Sequence, residues 1–208
     1  MKYLKMLGLA AVAAMALMAF GAGTASATKL CSTNTNPCTG TVYGKGTAIK
    51  TQLQAGTIAN LTTSTGNVTC TTSSIEGKTT SGGGGTGVPV EGEITSLKFS
   101  SCTLDVFGSP SCTVTATGIP TKVEANATSN GNGTLSTGSA GATVNCAGWI
   151  NCTFTAPGIL LTVTGGNPAH VTATQEVLAG SGVLCPSEAR WDATYEVTAP
   201  KPLFLTVS

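Results

Sequence analysis

Trp191-Asp192-Ala193-Thr194-Tyr195-Glu196-Val197-Thr198 is the stretch that decides the fold class. Its odd positions carry Trp, Ala, Tyr and Val, and its even positions carry Asp, Thr, Glu and Thr. Side chains on a strand alternate between two faces, so a period of two gives one apolar and one polar face. This is an amphipathic β-strand. After Pro200 and Pro202, Leu203, Leu205 and Val207 alternate again and predict a last strand near the end of the chain.

Similar strand signals recur upstream over Ile94–Cys102, Cys112–Ile119, Ala142–Cys146, Cys152–Ala156, Ile159–Thr164 and His170–Val177. Gly, Asn, Ser and Pro separate them, with turn signals at Gly82–Gly85 and at Asn130-Gly131-Asn132-Gly133. Thr, abundant throughout, is β-branched and suits a half-exposed pleated surface. Ala173–Ala179 is the nearest approach to a helical stripe and is too short for one. Short strands at intervals of about 8–12 residues predict a disulfide-stabilised antiparallel β-sandwich, with a β-barrel as the alternative. Aromatic residues are only 5 % and charged residues 9 %, so aliphatic side chains and Thr must fill the core.

The chain begins like a secretory signal. Lys2 and Lys5 precede an apolar run from Met6 to Ala22, closed by Thr24-Ala25-Ser26-Ala27. Small residues at −3 and −1 predict cleavage after Ala27, leaving residues 28–208 as one secreted β domain. A membrane span needs about 20 apolar residues, and this run falls short and ends in a cleavage site. The mean hydropathy of +0.25 partly reflects this segment. Removing Lys2 and Lys5 leaves 8 of the 10 basic residues against 9 acidic ones. A near-neutral surface has no electrostatic footprint for nucleic acid or for an anionic membrane.

All eight cysteines, Cys31, Cys38, Cys70, Cys102, Cys112, Cys146, Cys152 and Cys185, follow the signal. An even number in an exported chain predicts four disulfides. Zinc would need close Cys pairs or partner histidines; there is no C-x-x-C and His170 is the single His. Cys112-Thr-Val-Thr-Ala-Thr-Gly-Ile119 repeats at Cys152-Thr-Phe-Thr-Ala-Pro-Gly-Ile159, identical at six of eight positions. Cys102 and Cys146 lie just upstream of the two copies. The expected pairing is therefore Cys102–Cys112 and Cys146–Cys152 at two hairpin bases, Cys31–Cys38 around a small loop, and Cys70–Cys185 closing the rest. The last bridge would be the strongest in the chain-entropy model, about 5 kcal/mol against about 2.5 for the short loops.

Catalytic chemistry finds little support. Asp105 and Asp192 are the only aspartates, and no Ser sits in a Gly-x-Ser-x-Gly elbow. His170 reads as a strand-start residue. Glu91 and Glu93 share one strand face, whereas glycosidase carboxylates face each other across a cleft. The glycine run at 82–85 lacks the Lys-Ser/Thr of a phosphate loop. Asn60, Asn67, Asn126, Asn132 and Asn151 begin Asn-x-Ser/Thr triplets, which a Thr-rich composition produces by itself. No cofactor and no catalytic residue is predicted. Trp149, Trp191 and Tyr195 are the candidates for stacking on a ligand.

The stretch Cys185-Pro-Ser-Glu-Ala-Arg-Trp-Asp-Ala-Thr-Tyr-Glu-Val-Thr198, with Pro200 and Leu203, resembles the C-terminal signature of small exported bacterial proteins common in soil actinobacteria. Phe99-x-x-Cys102 followed by Cys112-Thr-Val is similar to theirs as well. The resemblance spans most of residues 65–208. It implies a bacterial secreted β domain and carries over no functional residue. The leading expectation is a non-enzymatic secreted or cell-surface protein, structural or adhesive, self-associating or with a cell-envelope or glycan partner. A small-ligand or carbohydrate-binding module is the alternative. A hydrolase using His170 or Glu91 and Glu93 ranks below both, as does an outer-membrane barrel, for want of aromatic girdles.

Overall fold

The computed structural model describes residues 27–85, 87–106, 108–129, 131–148 and 150–207. The expected signal segment lies outside these residues except for Ala27. The described residues form fourteen β-strands and no helix. They are β1 (Thr28–Cys31), β2 (Ala48–Leu53), β3 (Ala59–Thr63), β4 (Gly66–Thr79), β5 (Val90–Leu104), β6 (Ser111–Thr117) and β7 (Thr121–Ala127). Then follow β8 (Gly133–Thr137), β9 (Ala140–Cys146), β10 (Ile150–Ala156), β11 (Leu160–Thr164), β12 (His170–Ser181), β13 (Glu188–Ala199) and β14 (Phe204–Val207). Every pairing is antiparallel, as the alternation predicts.

Two closed circuits of pairing share four strands. The first runs β2, β4, β5, β7, β8, β11, β12, β13 and back to β2. The second runs β3, β4, β5, β6, β9, β10, β12, β13 and back to β3. The shared strands β4, β5, β12 and β13 are the longest, at 14, 15, 12 and 12 residues. At about 3.3 Å per residue they extend for roughly 40–50 Å, long enough to serve both circuits. The short strands belong to one circuit each.

Three of the long strands change parity where one circuit meets the other. On β4 the buried side chains pass from Val68 and Cys70 to Ser73 and Ile75. On β12 they pass from Val171 and Ala173 to Leu178, across a register shift that contains Gln175 at φ 53°. On β5, Ser101 takes φ 53° within a similar shift. Bulges of this kind bend a strand and re-aim the side chains that follow. On β13, Ala193, Tyr195 and Val197 are buried while Asp192, Thr194, Glu196 and Thr198 are half-exposed, as its sequence predicts.

A two-stranded ribbon, β1 with β14, packs against the first circuit. Leu30, Leu203 and Leu205 reach from it to line the same interior as Val90, Leu161 and Val197. The Thr28 hydroxyl accepts a hydrogen bond from the Ala127 amide. The glycine run at 82–85 connects β4 to β5 and passes over this ribbon. A Cβ on Gly83, at φ 62°, would collide with the Thr28 carbonyl, so the crossing requires glycine.

Candidate functional site

The turns β3–β4, β5–β6, β9–β10 and β12–β13 all gather at the far end of the second circuit. Five cysteines lie in the wall below them and a sixth, Cys185, in the β12–β13 turn. Cys70 on β4 is opposite Cys102 on β5, which is opposite Cys112 on β6, which is opposite Cys146 on β9. The bridges within this row are Cys70–Cys102 and Cys112–Cys146, and Cys152–Cys185 continues the belt from β10 to the β12–β13 turn. The fourth is Cys31–Cys38.

Cys31–Cys38 is thus as expected, and the other three pairs correct the expectation. Cys102 does face Cys112 across their hairpin, but it also faces Cys70 on its other side and is bonded there. Cys146 stands opposite Ile150, which leaves Cys152 on the diagonal. Diagonal neighbours lie about 7–8 Å apart at Cα, beyond the roughly 4.4–6.8 Å that a disulfide spans. No bridge closes a 115-residue loop. The three belt bridges join residues 32, 34 and 33 positions apart.

The repeated octapeptides flank β9 as β6 and β10. Their outward side chains and those of β9 form two rows, Thr113, Asn145 and Asn151, then Thr115, Thr143 and Thr153, while Thr117 and Thr155 flank the buried Gly141 in the third. Strands lie about 4.8 Å apart, and successive outward residues about 6.7 Å apart along each strand. None of the nine positions is charged. Thr143 and Thr153 are within hydrogen-bond reach at 3.4 Å. The alternating Thr of the repeat is the sequence signal for this face, and pairing of both copies with β9 assembles it.

The candidate stacking residues lie elsewhere. Tyr195 is 1 % exposed, which leaves no ring face for a sugar. Its hydroxyl is 2.9 Å from Ser73 Oγ. Ser73 Oγ donates to the Lys98 carbonyl, so the tyrosine donates to Ser73. Burial pushes the Tyr195 pKa up to about 12, partly countered by the Ser73 hydrogen bond. Ser73, a buried polar residue in a neutral stretch, carried no sequence signal for this role. Trp191 is half-buried, its ring centroid 6.4 Å from that of Tyr195, and it lines the interior of the second circuit. Its indole N–H is shielded from solvent and has no partner among the described residues. Trp149 lies outside the described residues.

The weaker catalytic candidates are not brought together. Glu91 is exposed and stands opposite Glu124 on β7. Glu93 stands opposite Lys122, with Lys78 Nζ at 3.7 Å. His170 is half-buried at the start of β12, between Thr164 and Glu196. Among the described residues no three His, Cys, Asp or Glu side chains converge as a metal site would require.

Comparison with family models, with curated proteins and with solved structures finds no match for this chain. The functional reading therefore rests on its own residues.

Proposed function

We propose that this is an exported, non-enzymatic adhesive module whose outward β6–β9–β10 face holds a neutral, hydroxyl-rich polymer such as a cell-envelope glycan. The observation that carries the reading is the uncharged array of eight Thr and Asn side chains on three paired strands. Thr hydroxyls and Asn amides both donate and accept hydrogen bonds, as sugar hydroxyls do. No charge within the array has to be desolvated when it is covered, and Lys98, opposite Thr115, stands at its β5 edge. Strands fixed at regular spacing offer these groups as a repeat, which suits a repeating partner. Export is supported by the signal-like N-terminal sequence and by four disulfides, which persist in oxidising compartments.

The test is co-sedimentation of the mature protein with insoluble cellulose, chitin and peptidoglycan. At least one should retain the protein, with little dependence on salt because the face is neutral. Thr115→Lys with Thr153→Lys should weaken retention on the order of tenfold, since two ammonium groups must then be desolvated. Failure of the unmodified protein to bind any of the three, or unchanged binding by the variant, would contradict the proposal.

A further inference from the structure

The interior of the second circuit is incompletely filled. A chamber of about 160 Å³ sits under the four turns, with Leu104, Ile150 and Pro186 in its wall and Thr63 and Thr65 at its rim. A second chamber of about 60 Å³ lies deeper, beside Phe99 and Trp191. Val68, Val144 and Phe154 line both, so the two chambers adjoin. Native cores hold few voids larger than a water molecule. An apolar cavity of about 150 Å³ is large enough to take up benzene.

Two further observations point to an occupant. At the inner end, the Trp191 indole N–H is a buried donor without a partner among the described residues, and buried donors are normally satisfied. At the outer end, Leu184 lines the first chamber and is 82 % exposed, and its neighbour Val183 is 86 % exposed. Cys152–Cys185 ties this turn to the wall. The mouth is therefore apolar and anchored, and the far end offers an unpartnered donor, the Trp191 N–H, and an unpartnered acceptor, Asn60 Oδ1.

We propose that this end of the molecule binds a small, neutral, largely apolar compound carrying a hydrogen-bond acceptor, such as a ketone or an ester, with Asn60 Oδ1 left to accept from a donor on the compound or from a water. The acceptor takes the Trp191 N–H. The apolar body lies between Val68, Val144 and Phe154 and reaches the mouth at Leu184. A charged group would have no partner in either chamber and is excluded from them. Thr117 and Gly141 edge the inner chamber, but Thr115 and Thr153, which carry the test of the outward face, line neither chamber, so either reading can fail without the other.

Acetophenone and ethylbenzene test the proposal, being close in size and differing in the acceptor. Methyl and indole NMR titrations of the disulfide-bonded protein should show both entering, with shifts at Val68, Val144 and the Trp191 N–H. Acetophenone should bind more tightly, on the order of tenfold. Trp191→Phe should remove that preference and leave ethylbenzene binding unchanged. Val144→Phe should exclude both. If neither compound binds the unmodified protein at millimolar concentration, or the shifts fall on Ile75 and Val90, the site is refuted. An ordered water retained on the Trp191 N–H alongside bound acetophenone, or a preference that persists in Trp191→Phe, would equally refute the assigned acceptor.

Discussion

The two pairing circuits are built from the same four long strands and are held together differently. The first is filled by aliphatic side chains, among them Ile75, Val90, Leu161, Val163, Val171 and Val197, and is covered by Leu30, Leu203 and Leu205 from the β1–β14 ribbon. None of its own strands β2, β7, β8 and β11 carries a disulfide; Cys70–Cys102 joins the shared β4 and β5 at the second circuit's end, and Cys31–Cys38 belongs to the ribbon. The second holds Phe99, Phe154 and Trp191 around unfilled space, gathers four turns at its end, and carries three bridges in its wall. The bridges lie in the circuit with the larger unfilled volume, about 60 and 160 Å³ against about 110 Å³ in the first. Covalent cross-links there restrict the unfolded chain and permit an interior that hydrophobic burial alone would not stabilise.

The comparison can be broken most forcefully at the belt. Cys112→Ala with Cys146→Ala removes a bridge between residues 34 positions apart, a loop whose closure is worth about 3.5–4 kcal/mol in the chain-entropy model. Urea denaturation should show a loss of that order, a large fraction of the roughly 5–15 kcal/mol that stabilises a typical domain. An effect below about 1 kcal/mol would mean that the second circuit does not depend on its sulfur.

In the first circuit the corresponding weak point is the cover. Leu205 is 2 % exposed, and Leu205→Ala should cost about 2–5 kcal/mol, the upper end applying if the existing cavity of about 110 Å³ grows instead of collapsing. The same denaturation experiment reads it. A near-neutral result would place the ribbon outside the cooperative core.

The junction gives the smallest effect. Tyr195 has its pKa raised to about 12 from an ordinary value of 10. The folded state thus favours the neutral phenol, and its contribution is fully present below pH 10. As pH rises from 10 to 12 the unfolded chain releases the proton first, so stability falls and then levels off, by at most about 2–3 kcal/mol. Tyr195→Phe should flatten that part of the stability profile.

How much of this could be read from the sequence follows from the bulges. β13 keeps one parity from Ala189 to Val197, and its sequence announces it. β5 was expected from Ile94 to Cys102 and extends from Val90 to Leu104, because its inward positions jump from Val90 and Gly92 to Leu97 and Phe99, then to Cys102 and Leu104. β4 changes parity between Cys70 and Ser73 and buries a serine, so alternation gave no hint of it. β1, β2, β3, β7 and β8 give no strand signal in the sequence, being short strands. The cysteine row failed for a different reason. Hairpin spacing places Cys102 beside Cys112, but the strand on the other side of Cys102 comes from 32 residues away, and local sequence does not name it. The outward Thr face was half legible, since the repeat showed its rows and β9 supplied the column between them.

The claim that sulfur holds one circuit and aliphatic packing the other is tested most directly by native-state hydrogen exchange on the Cys112→Ala, Cys146→Ala protein against the unmodified one. The prediction is faster exchange in β3, β6, β9 and β10, with β2, β7, β8 and β11 changed far less, since local opening draws on the least stable region. An equal rise in exchange across both sets of strands would contradict it.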